Sequence, residues 1–441
     1  MALYVACKTG DIDKVREIID LGANVKNRIS KAIQLACADG RTEMAQWLWS
    51  LREEGYPADI TGRDNYAIVH ACCHGHLKTA QWIWSLRTEG IDVDVAAQDN
   101  TIIKTAYRDE RKPMIAWLWS IWEEGANLDI AAQDNYALRA ACKRGDLEMA
   151  QMIWSRRNEG WAVDITACDN ASIRLAHVGT PMTHAYHQFS EPPRKTYTPL
   201  EVMQWIWSLR KEGADVDITA VDNNAIRAAC FPPDLARAQW IWSLRKQGAD
   251  VDITARDNEA IHRVCTCGDL EMAQWIWSLR AEGIQVNLDG TKAIASLCNN
   301  MSLRSEQKCL AVMQWIWSLR EQGVVVDLTA NNNRTMQRAC RAGCESIARW
   351  IWSLQDEGIE MDISANDSAI IKEACRSVAA CGSHSHPAIR AFYQSLSWLL
   401  TLYHPSEVIE QLLERYPSGI VHDALVLHVK CRQTKSARSA I

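Results

Sequence analysis

Phenylalanine is almost missing from this 441-residue chain: there are three, set against twenty tryptophans. A Phe-based core is excluded, and the aromatic mass must lie wherever tryptophan lies. No apolar run approaches the roughly 20 residues a membrane-crossing helix needs, so neither a spanning segment nor a membrane partner is expected. Charge of one sign is not in surplus. The 48 Lys and Arg face 54 Asp and Glu, a formal net of −6. That balance argues against nucleic acid as a partner while leaving room for local patches. The start, Met1-Ala2-Leu3-Tyr4-Val5-Ala6, lacks a signal peptide's basic stretch and apolar run. Catalytic motifs are missing too: no Gly-rich phosphate loop, no nucleophile elbow, no His-Glu-x-x-His. Carboxylates are many but recur at repeated solvent positions, so no acid–base pair stands out. No enzyme activity and no cofactor are expected.

What is there is a stamp. Trp47-Leu48-Trp49-Ser50 recurs from Trp82, Trp117, Met152, Trp205, Trp240, Trp275, Trp315 and Trp350, at spacings of 35, 35, 35, 53, 35, 35, 40 and 35 residues. A fixed period means one supersecondary unit stacked on itself, an α-solenoid whose repeats contact their neighbours. Seventeen of the twenty tryptophans sit in these clusters, so their role is structural first. At 100° per residue, Trp275, Ile276 and Trp277 sweep about 200°. A helix buried over that arc is sandwiched between units, with Ala45, Ala80, Ala150, Ala238, Ala273 and Ala348 leaving room for the indoles.

One unit shows the plan. Asp257-Asn258 reads as a helix start with Asp as N-cap. Ala260, Ile261, Val264 and Cys265 then recur at spacings of three and four, the face of a short inner helix. Gly268 closes it. Leu270, Ala273, Ile276 and Trp277 define an outer helix ending at Gly283, matched by Gly55, Gly90, Gly125, Gly160, Gly213, Gly248, Gly323 and Gly358. Between units, Ala249 to Asp257 alternates as a short extended or hairpin-like connector would. Eight of the sixteen cysteines fill one slot: Cys37, Cys72, Cys142, Cys230, Cys265, Cys298, Cys340 and Cys375. Slots a full repeat apart do not pair, so these read as buried thiols in a reducing, cytoplasmic compartment.

These residues resemble the ankyrin repeat, most clearly in Gly268-Asp269-Leu270-Glu271-Met272-Ala273, in Gly248-Ala249-Asp250-Val251-Asp252, and in Ala6 to Val15 followed by Leu21-Gly22-Ala23-Asn24-Val25. The resemblance covers residues 1–404 and implies about eleven all-helical units with short hairpin-like connectors, acting as a protein-interaction array. The chain departs from the family in three ways. Its Thr-Pro-Leu-His helix start is replaced by forms such as Tyr66-Ala67-Ile68-Val69. The outer helix is about one turn longer, and the connector about one residue shorter, which together explain 35 residues against about 33. The Trp-rich, longer repeat is similar to ankyrin arrays of giant viruses and amoeba-associated genomes. In a viral or intracellular-microbe setting the compartment would be the host cytoplasm.

Insertions near 178–199, 299–308 and 378–387 lie between helices of single units. They read either as extensions of a binding surface or as drift at solvated turns. Residues 405–441 form a helical segment with a polar tail. It reads as a terminal cap or, alternatively, as a docking segment by which an adaptor recruits ubiquitin-ligase or other machinery. Two metal readings are weighed and set aside: Cys72-Cys73-His74-Gly75-His76, whose residues fill ordinary repeat positions, and Cys381 with His384 and His386, which lack a fourth ligand. No metal is expected.

Recognition is sought where repeats disagree. Connector tips carry Arg63, Gln98, Gln133 and Arg256. Two residues after each Asp come Tyr66, Tyr136, Asn224, Glu259 and Arg334. Near inner-helix ends lie His74, Lys143, Arg144 and Arg341. By resemblance these mark the surface where ankyrin arrays bind, and Tyr and Arg suit anchors. A basic column runs beside them: Lys104, Arg139, Arg174, Arg227, His262 and Lys372. Either it forms a strip for an acidic partner segment, or each cation contacts a neighbouring connector or its Asp. The expected function is non-catalytic binding of a protein partner by a monomeric array.

Overall fold

The computed structural model describes residues 2–20, 28–109, 111–176, 197–299, 305–362, 365–380, 389–402 and 406–439. Most of the three insertions, with His184, His187, Cys381, His384 and His386, lies outside the described residues, as do Leu21 to Val25. The chain divides into two compact units, 1–221 and 222–441. Among the described residues it is all-helical: twenty-four α-helices arranged as twelve pairs.

The first unit holds α1 (Ala2–Thr9), α2 (Ile12–Asp20), α3 (Ile29–Ala38) and α4 (Thr42–Ser50). There follow α5 (Gly62–His74), α6 (Leu77–Ser85), α7 (Ala97–Arg108) and α8 (Lys112–Glu123). It ends with α9 (Ala132–Arg144), α10 (Leu147–Ser155), α11 (Ala167–Leu175) and α12 (Pro199–Ser208). From the boundary onward run α13 (Ala220–Ala229), α14 (Leu235–Ser243), α15 (Ala255–Cys267) and α16 (Leu270–Ser278). Next come α17 (Gly290–Asn299), α18 (Glu306–Ser318), α19 (Ala330–Ala342) and α20 (Glu345–Ser353). The last four are α21 (Ala365–Ala380), α22 (Ile389–Leu402), α23 (Ser406–Arg415) and α24 (Ile420–Ser439). The first helix of each pair is called inner below, the second outer.

Within each unit, inner helices stack on inner helices: α3, α5, α7, α9 and α11 in turn, then α15, α17, α19 and α21. All eight cysteines of the recurring slot are buried free thiols between these layers. Gly268 and Gly283 both have φ in the left-handed region, +73° and +86°, the conformation expected of a helix-ending glycine. The extra turn of the outer helix is a 3₁₀ segment, for example Leu279–Glu282, which delivers the chain to Gly283. At the end of the chain α24 packs on α21 and α22 through buried Val421, Ala424 and Leu425.

The Trp-x-Trp arc is less deeply sunk than its 200° sweep suggests. The central residue is the buried one: Ile83, Ile206, Ile241, Ile276, Ile316 and Ile351 are essentially solvent-free. The first indole of each cluster is half-buried, and among second indoles Trp49, Trp154, Trp277 and Trp317 are buried. An arginine three residues on lies over the second ring, at 4.2 Å for Arg52 on Trp49, 4.3 Å for Arg245 on Trp242 and 3.6 Å for Arg320 on Trp317. The indoles still join repeats. Trp277 meets Trp315 edge-on at 6.4 Å, and Trp154 Nε1 donates to Glu212 at 3.0 Å.

The connectors are not hairpins: among the described residues no strand forms, and the one β-bridge, Cys230 to Pro233, lies elsewhere. Nor is Asp257 an N-cap in extended conformation. Arg256, Asp257 and Asn258 have φ of 55°, 56° and 60°, a left-handed turn of three residues. The same turn is made by 63–65, 98–100, 133–135, 168–170, 221–223 and 331–333. Non-glycine residues adopt this region at a cost of about 1–2 kcal/mol each, least for Asn and Asp, so something must hold the turn.

Candidate ligand-binding face

What holds the turn is a set of side chains that sequence reading assigned in part to recognition. The third residue bonds forward. In the first unit Asn65, Asn100, Asn135 and Asn170 accept the main-chain N–H of Asp94, Asp129, Asp164 and Asp217 at 2.9–3.0 Å. In the second, Asn223 accepts from Asp252 and Asn258 from Asn287, both at 2.9 Å. Ser30 and Thr291 stand in where the asparagine is missing, accepting from Asp59 and Asp327. The recurring Asp-Asn dipeptide was legible, but not the Asn as an inter-repeat bond. The signal was its offset of 29 residues from the bonded connector position, kept in all these pairs but Asn170 with Asp217.

Connector-tip residues join the same ladder. Gln98 donates its main-chain N–H to the Asp64 carboxylate at 3.0 Å and its side-chain amide to Asp64 O at 3.1 Å. Gln133 Nε2 donates to Asp99 O at 3.1 Å, and Gln133 Oε1 accepts from Lys104 Nζ at 3.4 Å. Arg256 reaches the Asp222 carboxylate at 3.2 Å. The basic column closes the turns from within. Arg139 donates to the carbonyls of Asp134 (2.7 Å) and Gln133 (3.1 Å), and Arg174 to those of Asp169 (2.6 Å) and Cys168 (3.0 Å). Arg227 donates to Asp222 O at 2.8 Å, is 2% exposed, and pairs with Glu259, which also holds Arg263 at 2.6 Å. The column is interrupted at His262, where burial, then the nearby Lys292, lowers the pKa and favours the neutral ring.

The remaining candidates range from half-buried to exposed. Arg63 is exposed and lies 5.6 Å over the half-buried Tyr66 ring, which stacks on His70 at 3.8 Å. Burial, then the neighbouring His74, lowers the His70 pKa. His74 is exposed, with Nδ1 2.8 Å from Ala38 O. Tyr136 is half-buried beneath Arg139 at 5.5 Å. Lys143 is exposed, and Arg144 lies 6.0 Å over Tyr107. Asn224 is half-buried. Arg334 and Arg341 are exposed on α19, and Arg341 lies 3.8 Å from Glu373. Missed by the sequence reading are Arg108 at the end of α7, paired to Asp109 at 2.7 Å, and Arg338, which shares a cleft with Arg334 and Arg341. No group of three or more His, Cys, Asp or Glu among the described residues is placed to hold a metal, and no helix there is long and apolar enough to cross a membrane.

No protein-family model matches the chain, and no curated protein does. Similar solved structures include helical-repeat proteins. One is the pentatricopeptide repeat protein PPR10 from maize, with a TM-score of 0.42, 14% identity, and coverage of 99% of this chain and 62% of that one. Another is PPR10 in complex with an 18-nucleotide psaJ RNA element, with a TM-score of 0.43, 15% identity and the same coverage. The chain thus spans 62% of the length of each. Two expectations are corrected. These solved structures are pentatricopeptide arrays, and the ankyrin kinship is not confirmed. The expectation from net charge that nucleic acid is an unlikely partner is corrected: one similar helical-repeat structure is PPR10 in complex with an RNA element.

Proposed function

We propose that this chain is a non-catalytic, repeat-based binding module that holds an extended, negatively charged partner along the inner-helix face of each unit. One observation carries the reading: cations gather on that face of a chain whose net charge is −6. In the first unit α3 carries Lys31, α7 carries Lys104 and Arg108, and α9 carries Lys143 and Arg144. In the second, Arg263, Lys292, Arg334, Arg338, Arg341 and Arg376 lie on α15, α17, α19 and α21. A rigid array pre-arranges such a surface, so the protein side loses little freedom on binding.

The first reading of the partner is an acidic protein segment. Glu259, Glu373 and Asp109 sit among the cations, and a segment of mixed charge tolerates them better than an unbroken line of phosphates. The second reading, a single nucleic-acid strand, is favoured by Tyr66 and Tyr136, each with an arginine over the ring, since bases stack on such platforms. In this proposal α23 and α24 act as the cap of the array, and its buried thiols suit a reducing, cytoplasmic setting. The Gly-closed helix pairs keep the ankyrin plan, with a left-handed turn replacing the hairpin.

The test is cross-linking of the partner-bound chain with mapping by mass spectrometry. Adducts are expected at Lys31, Lys104, Lys143 and Lys292 of the inner helices. Adducts confined to Lys78, Lys112, Lys211 and Lys246, on the outer helices and their 3₁₀ ends, would refute the proposed face.

A further inference from the structure

The repeat built on α19 departs from the others in charge. Where the other left-handed turns place Asp64, Asp99, Asp134, Asp169, Asp222 and Asp257, this one has Asn332. Its turn is closed by a neutral side chain, Gln337 Nε2 donating to Asn332 O at 2.7 Å, where Arg139, Arg174 and Arg227 do this elsewhere. Turn closure in this repeat thus falls to Gln337 and not to an arginine. Arg334, Arg338 and Arg341 follow at i, i+4 and i+7, one face of the helix, and line an open cleft of about 390 Å³.

Compensation in the cleft is incomplete. Among the described residues Glu373 is the one carboxylate lining it, and it is already engaged by Arg341 at 3.8 Å and by Arg376. Arg338 donates one N–H to Ala295 O at 2.9 Å. Burial, then the neighbouring Arg334, lowers its pKa, as crowding of like charge requires. Among the described lining residues, three guanidiniums against one carboxylate leave a local surplus of two positive charges.

We propose that this cleft binds a phosphomonoester dianion carried on a peptide side chain. The proposal deepens the function above and rests on its reading of the inner-helix face as the recognition surface. A phosphorylated side chain brings about −1.5 to −2 charges near neutral pH, which matches the surplus. Guanidinium forks bind such oxygens in pairs of charge-assisted hydrogen bonds. The cleft is larger than a phosphate group, so the carrier enters too, and the primary amides of Asn331 and Asn332 at its edge suit a peptide main chain. Glu373 in the same cleft opposes a ligand that presents one phosphate after another, which separates a phosphopeptide from a nucleic-acid strand.

The experiment uses the full chain and fluorescence anisotropy with a labelled alanine–glycine peptide carrying one phosphoserine. Its unphosphorylated form, inorganic phosphate and a 5′-phosphorylated oligonucleotide are the comparison probes. The phosphopeptide should bind saturably, at least about tenfold tighter than the serine form. Asn332→Asp and Arg334→Gln should each weaken it about fivefold or more with unchanged melting. Asn332→Asp restores the residue that six other turns accept, and Arg334 is exposed, so neither threatens the fold. Equal binding of the two peptides, inorganic phosphate binding as tightly as the phosphopeptide, preference for the oligonucleotide, or indifference to both substitutions would each overturn the proposal. Because both variants touch one repeat, its failure with cross-links still on Lys31, Lys104 and Lys143 leaves the broader function standing. Loss of those cross-links removes both.

Discussion

Asn135 Oδ1 accepts the main-chain N–H of Asp164 at 2.9 Å across the seam between two repeats, while its own backbone sits at φ 57°. One side chain thus bonds the next repeat and occupies a turn that most residues resist. Asn135→Ala should lose about 1–3 kcal/mol for the donor left unpaired, with about 1–2 kcal/mol more for alanine in the left-handed region. Asn135→Gly removes the bond but relieves the strain, so it should fall between wild type and alanine in urea unfolding. An alanine variant as stable as wild type would refute the ladder.

Arg139 and Arg227 occupy equivalent positions but differ in burial. Arg227→Ala leaves Glu259 short of a partner in a buried setting, where breaking a pair costs about 3–5 kcal/mol. Retained Arg263 should hold the loss to the lower end. Arg139→Ala forfeits two carbonyl contacts at about 0.5–1.5 kcal/mol each. The double variant should melt earlier than either single variant. Normal melting with lost partner binding would return these residues to the recognition surface.

In the Trp cluster, the middle residue should matter most. Ile241 is 0% exposed, and Ile241→Ala should cost about 2–5 kcal/mol. Trp240 is half-buried, so Trp240→Ala should cost about 1–3 kcal/mol, below the range for a fully buried indole. Denaturant midpoints of the two variants give the order, and the reverse order would restore the fully sandwiched indole.

Burial pushes the Cys142, Cys265 and Cys340 thiols from their ordinary 9.0 up to about 12. The folded state thus prefers the protonated thiol. This preference is neutral to stability below pH 9.0 and becomes a growing loss as pH rises towards about 12, where unfolded thiols ionise and folded ones resist. Melting temperature should therefore fall over that window, and less steeply in a Cys142→Ala variant. At roughly neutral pH, alkylation of the native chain should reach the exposed Cys168 and Cys431 and spare the buried set. Rapid modification of Cys142 in the folded chain would contradict this.

The repeat, its helix pairs, both glycine stops and the buried cysteine slot were legible because each recurs with the period of one stacked unit. The left-handed turn was not. Arg256-Asp257-Asn258 carries the signature of an N-cap, and its true conformation is set by Asn258 bonding to Asn287 in the next repeat, a contact no local pattern announces. For the same reason variability misled in part. Gln98 and Arg256 vary from repeat to repeat yet serve the ladder, because an amide and a guanidinium can each reach the preceding Asp. Where the varying residue has no such acceptor, as at Lys143 and Arg334, exposure and sequence variation agree.

The most direct test of the central claim is a titration of two polyanions of equal charge, a polyglutamate peptide and a single-stranded oligonucleotide, at several salt concentrations. The native chain is compared with a Lys143→Glu, Arg144→Glu variant whose melting is unchanged. The account predicts saturable binding of at least one probe, weakened by salt and reduced about tenfold or more in the variant. Equal binding by both proteins, or no salt-sensitive binding of either probe, would contradict it.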